Sequence, residues 1–108
     1  MAKTELLSGT LDLLILRVLN GGPLHGFAIA ERIHALSSNV LTVEEGSLYP
    51  SLYRMERKGW IEPEWGRSER GRQAKFYSLT RDGRKQLADE RQGWERVALA
   101  IGEILRDA

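Results

Sequence analysis

Apolar positions along the chain fall into five patterned runs separated by glycine-rich or polar breaks. In the first, "SGTLDLLILRVLNGG", Leu11, Leu14, Ile15, Val18 and Leu19 recur at the i, i+3, i+4, i+7, i+8 spacing of an amphipathic helix. Ser8 or Thr10 can cap it, and Gly21 and Gly22 end it. Leu13 and Leu16 widen the apolar surface beyond one stripe, which implies burial on two sides. Pro23 opens a second helix over 24–36, with Leu24, Phe27, Ile29, Ala30, Ile33 and Leu36 as its apolar positions. "SSN" at 37–39 is a break, and "VLTV" at 40–43 is an apolar run too short to assign, with a small strand as one option. The third helix lies in "EEGSLYPSLYRMERKGW" (44–60), where Leu48, Leu52 and Met55 keep helical spacing and Gly59 closes it. Its start is open between two solutions. Thr42 and Glu45 have the Thr-x-x-Glu spacing of a capping box, which leaves a bend at Pro50. With Ser47 as N-cap, Pro50 falls in the first turn, where its missing N–H costs little.

"WIEPEW" (60–65) and "AKFYSL" (74–79) alternate and are rich in aromatic and β-branched residues, so they read as strands. The link "GRSERGRQ" makes them a hairpin with a basic tip. Trp60 and Trp65 flank the first strand and are expected to pack the hairpin on the core. Thr80 caps a last helix over 81–106, with Asp82 in the first turn, where the helix dipole favours an anion. Leu87, Trp94, Val97, Ala98, Ile101, Ile104 and Leu105 follow a heptad-like stripe. At 1.5 Å per residue this helix would be roughly 39 Å long, against a radius of gyration of about 13 Å for a domain of this size. It projects beyond its own core, so its stripe calls for a partner, most simply the same helix of a second copy.

Composition narrows the class. A chain of 108 residues fits one domain of marginal stability, which dimerisation would help. It has no cysteine, which excludes disulfides and thiolate metal sites and suits a reducing compartment. No apolar run approaches a membrane span, and "MAKTELLSGT" lacks the features of a signal peptide, so the cytoplasm is expected. The net charge of +1 is unevenly spread. Residues 1–53 carry three Lys/Arg against five Asp/Glu, residues 54–86 ten against five, and residues 87–108 three against five. Positive charge is concentrated in the middle third of the chain, residues 54–86.

Three helices, a basic-tipped hairpin and a long helix give a mainly α fold with a two-stranded β-wing: a winged helix-turn-helix with a long C-terminal dimerisation helix. Residues 1–80 would form the head and 81–108 the dimerisation helix of one compact unit. In such a head the third helix can enter a DNA major groove. On the helical wheel Leu48, Leu52 and Met55 face the core. The opposite side gathers Pro50, Tyr53, Arg54 and Arg57, flanked by Ser47, Tyr49 and Lys58. Hydroxyls suit phosphate oxygens, and arginine suits phosphate or guanine. Arg67, Arg70, Arg72 and Lys75 of the wing would lie on an adjacent groove or backbone. The rival reading, a winged-helix module that binds protein without sequence-specific DNA binding, calls for an apolar patch where this helix carries Tyr, Arg and Lys.

"LLSGTLDLLILRVL", "GPLHGFAIAERI", "EEGSLYPSLYRMERKGWI" and "RQAKFYSLTRDGRKQL" resemble the signature blocks of PadR-like transcriptional regulators, over residues 6–95. The resemblance implies a homodimeric bacterial repressor of the short-tailed class, binding a pseudo-palindromic operator. It implies a dimer built by the last helix with the first, here Leu11, Leu14 and Ile15 with Leu87, Trp94, Val97, Ile101, Ile104 and Leu105. It also brings Tyr49 and its neighbours to the DNA backbone, and makes Trp94 a candidate to stack on a small aromatic effector.

Other chemistry finds little support. His25, in "PLHGF", is a candidate for the DNA backbone or a locally satisfied helix-start histidine. His34 and Glu31 form at most half a metal site, so no metal or other cofactor is expected. There is no Gly-x-Ser-x-Gly, phosphate-binding glycine loop or His-Glu-x-x-His, and no enzyme is expected.

Overall fold

The computed structural model describes residues 8–106. Four helices and three strands follow in the order α1 (Ser8–Leu19), β1 (Leu24–His25), α2 (Gly26–Leu36), α3 (Glu45–Arg57), β2 (Ile61–Arg67), β3 (Gln73–Leu79) and α4 (Arg81–Leu105). This is a winged helix extended by a long final helix.

α1 is apolar around most of its circumference, and a helix of that kind belongs inside. Leu11, Leu13, Ile15, Leu16, Val18 and Leu19 are all buried, and α1 packs against α2, α3, α4 and β3. Ser8 and Thr10 both fall within the helix, and the residues before Ser8 lie outside the described chain. The core is completed by Ile29 and Ile33 of α2, Leu48, Leu52 and Met55 of α3, Ile61, Tyr77 and Leu79 of the sheet, and Leu87 of α4.

Pro23 does not open α2. Leu24 and His25 instead form a two-residue strand on the free edge of β3, pairing Leu24 with Tyr77 and His25 with Phe76. The sheet is antiparallel in the order β1-β3-β2, with Ile61 opposite Leu79 and Trp65 opposite Lys75. His25 then caps α2, its Nδ1 accepting the Ala28 N–H at 3.2 Å. Ile29 and Ile33 point inward, but Phe27 and Leu36 of the predicted apolar set are exposed.

"SSN" is a tight turn in which Ser38 and Asn39 have positive φ. Ser37 Oγ donates to the His34 carbonyl and accepts from Leu41 N–H. His34 Nδ1 lies 2.9 Å from the Leu41 carbonyl oxygen. "VLTV" has no regular secondary structure and pairs with no strand; Leu41 and Val43 rest on the core instead.

α3 starts at neither expected place. Glu44 is its N-cap, and Pro50 lies in its second turn. The N–H that Pro50 lacks would have met the Gly46 carbonyl on the exposed side of the helix, where water can take its place. The helix therefore runs through the proline. Gly59, at φ 78°, ends it, with Gly59 N–H on the Glu56 carbonyl and Trp60 N–H on the Met55 carbonyl.

α4 leaves the head at one close joint. Thr80 Oγ1 accepts from Gly83 N–H at 3.0 Å and donates to the Gly59 carbonyl at 2.6 Å. The Thr80 N–H bonds the Trp60 carbonyl at 3.0 Å. A Cβ on Gly83 would lie 1.9 Å from that carbonyl oxygen, so only glycine fits. Arg91, Trp94 and Glu95 still border α1 across a cleft, and beyond Glu95 the helix runs clear of the head. The radius of gyration is 15.1 Å and the longest dimension 56 Å.

Candidate nucleic-acid interface

α3 is pinned along two edges, and what lies between them faces out. Leu48, Leu52 and Met55 seat it on the core. At one edge Arg54 Nη2 donates to both carboxylate oxygens of Asp12, at 2.6 and 2.8 Å. At the other, Glu56 takes Lys75 of the wing at 3.2 Å, and the Tyr49 ring lies across Gly26. A Cβ on Gly26 would come within 2.7 Å of the Tyr49 hydroxyl. The His25-Gly26 pair thus has a local explanation: a helix cap, then the space that Tyr49 occupies.

The outward face carries Ser47, Tyr49, Pro50, Tyr53, Arg57 and Lys58, all exposed, with Tyr53 at 63%. The Arg57 guanidinium lies 5.6 Å from the Tyr53 ring centre, and Lys58 Nζ lies 4.7 Å from that of Trp60. Both side chains lie beside an aromatic face and are exposed. Arg54, expected on this face, is half turned away toward α1.

The wing stands beside α3. Its tip is closed by Ser68 N–H on the Arg72 carbonyl and by Gly71, at φ 77°. Arg67 Nη1 donates to the Gly71 carbonyl at 3.0 Å, so this arginine braces the tip. Arg70 and Arg72 are exposed and have no hydrogen-bonded side-chain partner among the described residues. Lys75 is shared between Glu56 and the Tyr77 ring, at 5.6 Å. Burial pushes the Tyr77 hydroxyl above its ordinary value of 10.0, against the opposing charge of Lys75. Trp60 packs against the core as expected. Trp65 does not: it is 63% exposed. It shares a face with Ile61, but the hairpin has run past the core by the time it reaches residue 65.

Along α4, Trp94, Val97, Ile101, Ile104 and Leu105 are exposed. Two residues assigned to the same dimer surface, Leu11 and Ile15, are closed inside the chain's own core, and Leu87 is largely buried there, its remaining surface facing a cleft. Leu14 is half-buried and reaches a cleft of about 390 Å³ between α1 and α4. Leu13, Leu87 and Trp94 give this cleft apolar walls, and Arg17, Arg91 and Glu95 line it as well. No group of three or more metal-ligating side chains occurs among the described residues. No described helix is long and apolar enough to cross a membrane.

Sequence reasoning missed Asp12. The signal was present as a lone acid within "LDLLIL", but its partner lies 42 residues away.

Comparison with known proteins agrees with this architecture. A PadR-like regulator from Bacillus cereus superposes with a TM-score of 0.81 at 28% identity, over 97% of this chain and all of that one. An uncharacterised protein of Lysinibacillus sphaericus is 29% identical over 97 residues, 90% of this chain and 89% of that protein. An uncharacterised 37.1 kDa protein in transposon Tn4556 of Streptomyces fradiae is 40% identical over 92 residues, 85% of this chain. The match spans only 25% of that relative's length. The transcriptional regulator PadR-like family matches residues 15–89, well over half of the sequence. The chain belongs to that family and is a DNA-binding regulator of transcription on a winged-helix scaffold.

Proposed function

We propose that the protein is a homodimeric repressor in the cytoplasm that binds a pseudo-palindromic operator and is released by a small aromatic effector. The observation that carries the DNA reading is the outward face of α3 beside a basic wing. Ser47, Tyr49, Pro50, Tyr53, Arg57 and Lys58 are together accessible, in a helix whose opposite side is core. In this reading Arg57 and Lys58 approach base edges and phosphates, the tyrosine and serine hydroxyls donate to phosphate, and Arg70 and Arg72 reach the neighbouring backbone. Arg67 and Lys75 set the shape of the wing and add charge. His25 serves chiefly as a helix cap.

Residues 1–80 act as the reading head and 81–108 as the dimerisation helix. The support is the unpartnered stripe of Val97, Ile101, Ile104 and Leu105, which continues the line of Leu87 out of the core. Such a row of apolar residues invites a second copy. The cleft walled by Trp94 is the candidate effector site, with an indole face available for stacking.

Fluorescence anisotropy tests the reading, with a duplex from upstream of the protein's own gene and a random duplex of equal length, each at two salt concentrations. Tight, salt-sensitive preference for the upstream duplex supports it. Equal weak binding to both, with capture of a protein partner through α3, supports an interaction module instead. A reporter fused to that upstream segment separates repression from activation.

A further inference from the structure

We infer that Asp12 is a positioning residue for DNA reading: its buried carboxylate holds one nitrogen of the Arg54 guanidinium and leaves the other two turned toward the DNA. The inference rests on the DNA reading of α3 given above.

Asp12 is buried among leucines on α1, where an ionised carboxylate is costly unless paired. An apolar pair of similar volume often stabilises as well as a buried ion pair or better. Stability alone is therefore a weak reason for Asp12 to be charged. Direction is a stronger one. The apolar seat of α3, Leu48, Leu52 and Met55, attracts without fixing an angle. The Asp12–Arg54 pair is short and directional.

Its geometry is one-sided. Both carboxylate oxygens converge on Nη2, at 2.6 and 2.8 Å, and Ser51 Oγ borders the same nitrogen at 3.5 Å. Nη1 and Nε have no hydrogen-bond partner among the described residues. Neither is sealed from solvent, since the one described buried side-chain atom lacking a partner is Glu90 Oε2. The Arg54 side chain is 40% exposed and that of Asp12 only 9%. On the wheel Arg54 lies about 40° from Pro50 and about 60° from Arg57, so its free edge adjoins the outward face. A guanidinium held at one corner loses less rotamer freedom on binding, and keeps in-plane donors for a guanine edge. The ion pair at the opposite edge of α3, Lys75 with Glu56, is partly exposed at both ends, and such pairs fix position weakly.

The test compares wild type with Asp12→Asn and with the double variant Asp12→Leu/Arg54→Met. Each is measured for thermal stability and for affinity, at one salt concentration, toward a duplex selected by the wild type and a random duplex. Asp12→Asn should keep its helical signal and its affinity for the random duplex. It should lose about tenfold to a hundredfold for the selected duplex, the range of one well-made base contact. The double variant should melt at or above wild type and still show that loss, which keeps the test decisive if Asp12→Asn folds poorly. Undiminished discrimination in Asp12→Asn, or in a folded double variant, would overturn the inference and leave the pair purely structural. Failure of the wild type itself to select any duplex would overturn the DNA reading, and this inference with it.

Discussion

Replacing Gly83 by alanine tests the joint that aims α4. The added Cβ would sit 1.9 Å from the Trp60 carbonyl oxygen, 2.9 Å from its carbon and 3.2 Å from Leu79 Cδ2. Real Cβ atoms essentially never approach within 3.0 Å, so the helix must withdraw by about an ångström, and the obstacle is backbone rather than a flexible side chain. Withdrawal strains the bonds that Thr80 makes to Gly59, Trp60 and Gly83. Overpacking of this kind costs about 1–3 kcal/mol, and loss of a threonine cap about 1 kcal/mol. Alanine returns at most about 1 kcal/mol of helix propensity. The net is a loss of about 1–3 kcal/mol, or a fall in Tm of roughly 5–20 °C for a domain of this size. Thermal melts by circular dichroism, at fixed protomer concentration, measure it. Gly46→Ala is the control, because a Cβ there meets nothing within 4 Å. A Gly83→Ala protein that melts at or above wild type would refute the reasoning. The joint matters for function as well, because the direction of α4 would set the separation of two recognition helices in a dimer.

Three further outcomes follow from the same geometry. The double variant Arg70→Ala/Arg72→Ala should flatten the dependence of log K on log salt by about 0.9 per lost phosphate contact; an unchanged slope removes the wing tip from the interface. Ile101→Glu should convert a dimer to monomer in sedimentation. Burying this side chain contributes about 1.5–3 kcal/mol, counted twice by symmetry, so the dimer Kd should rise by at least about a hundredfold; persistence of the dimer moves the interface elsewhere. Because burial raises the Tyr77 pKa above 10.0, the unfolded chain releases that proton first. The resulting stability is present below pH 10 and lost as pH rises through the folded value, so Tyr77→Phe should flatten the alkaline fall in urea-unfolding free energy.

Much of this fold was legible because its elements announce themselves locally. α1, α3, the hairpin and α4 each carry a clear period, and Leu48, Leu52 and Met55 identify the inner side of α3. What stayed hidden depends on distant partners. β1 is two residues long, carries no pattern of its own, and exists because β3 offers an edge more than fifty residues later. Alternation puts Trp65 on the same face as Ile61 but does not tell where the core ends. Arg54 looked like a free cation on the wheel because Asp12 lies in another helix. The start of α3 differs for another reason: sequence favours a capping side chain, and the N-cap is Glu44, whose side chain makes no capping bond. Leu11, Ile15 and Leu87 carry the apolar character of an interface, and tertiary packing claims them first.

The central claim is that two outward faces of α3, joined through α4, read one duplex. Hydroxyl-radical footprinting on a duplex selected by the wild-type protein tests it most directly. The account predicts two protected patches related by a dyad, their centres about 34–36 Å apart or a multiple of that, with both lost in Ile101→Glu. One asymmetric patch bound by a single chain, or protection unaffected by Ile101→Glu, would contradict it.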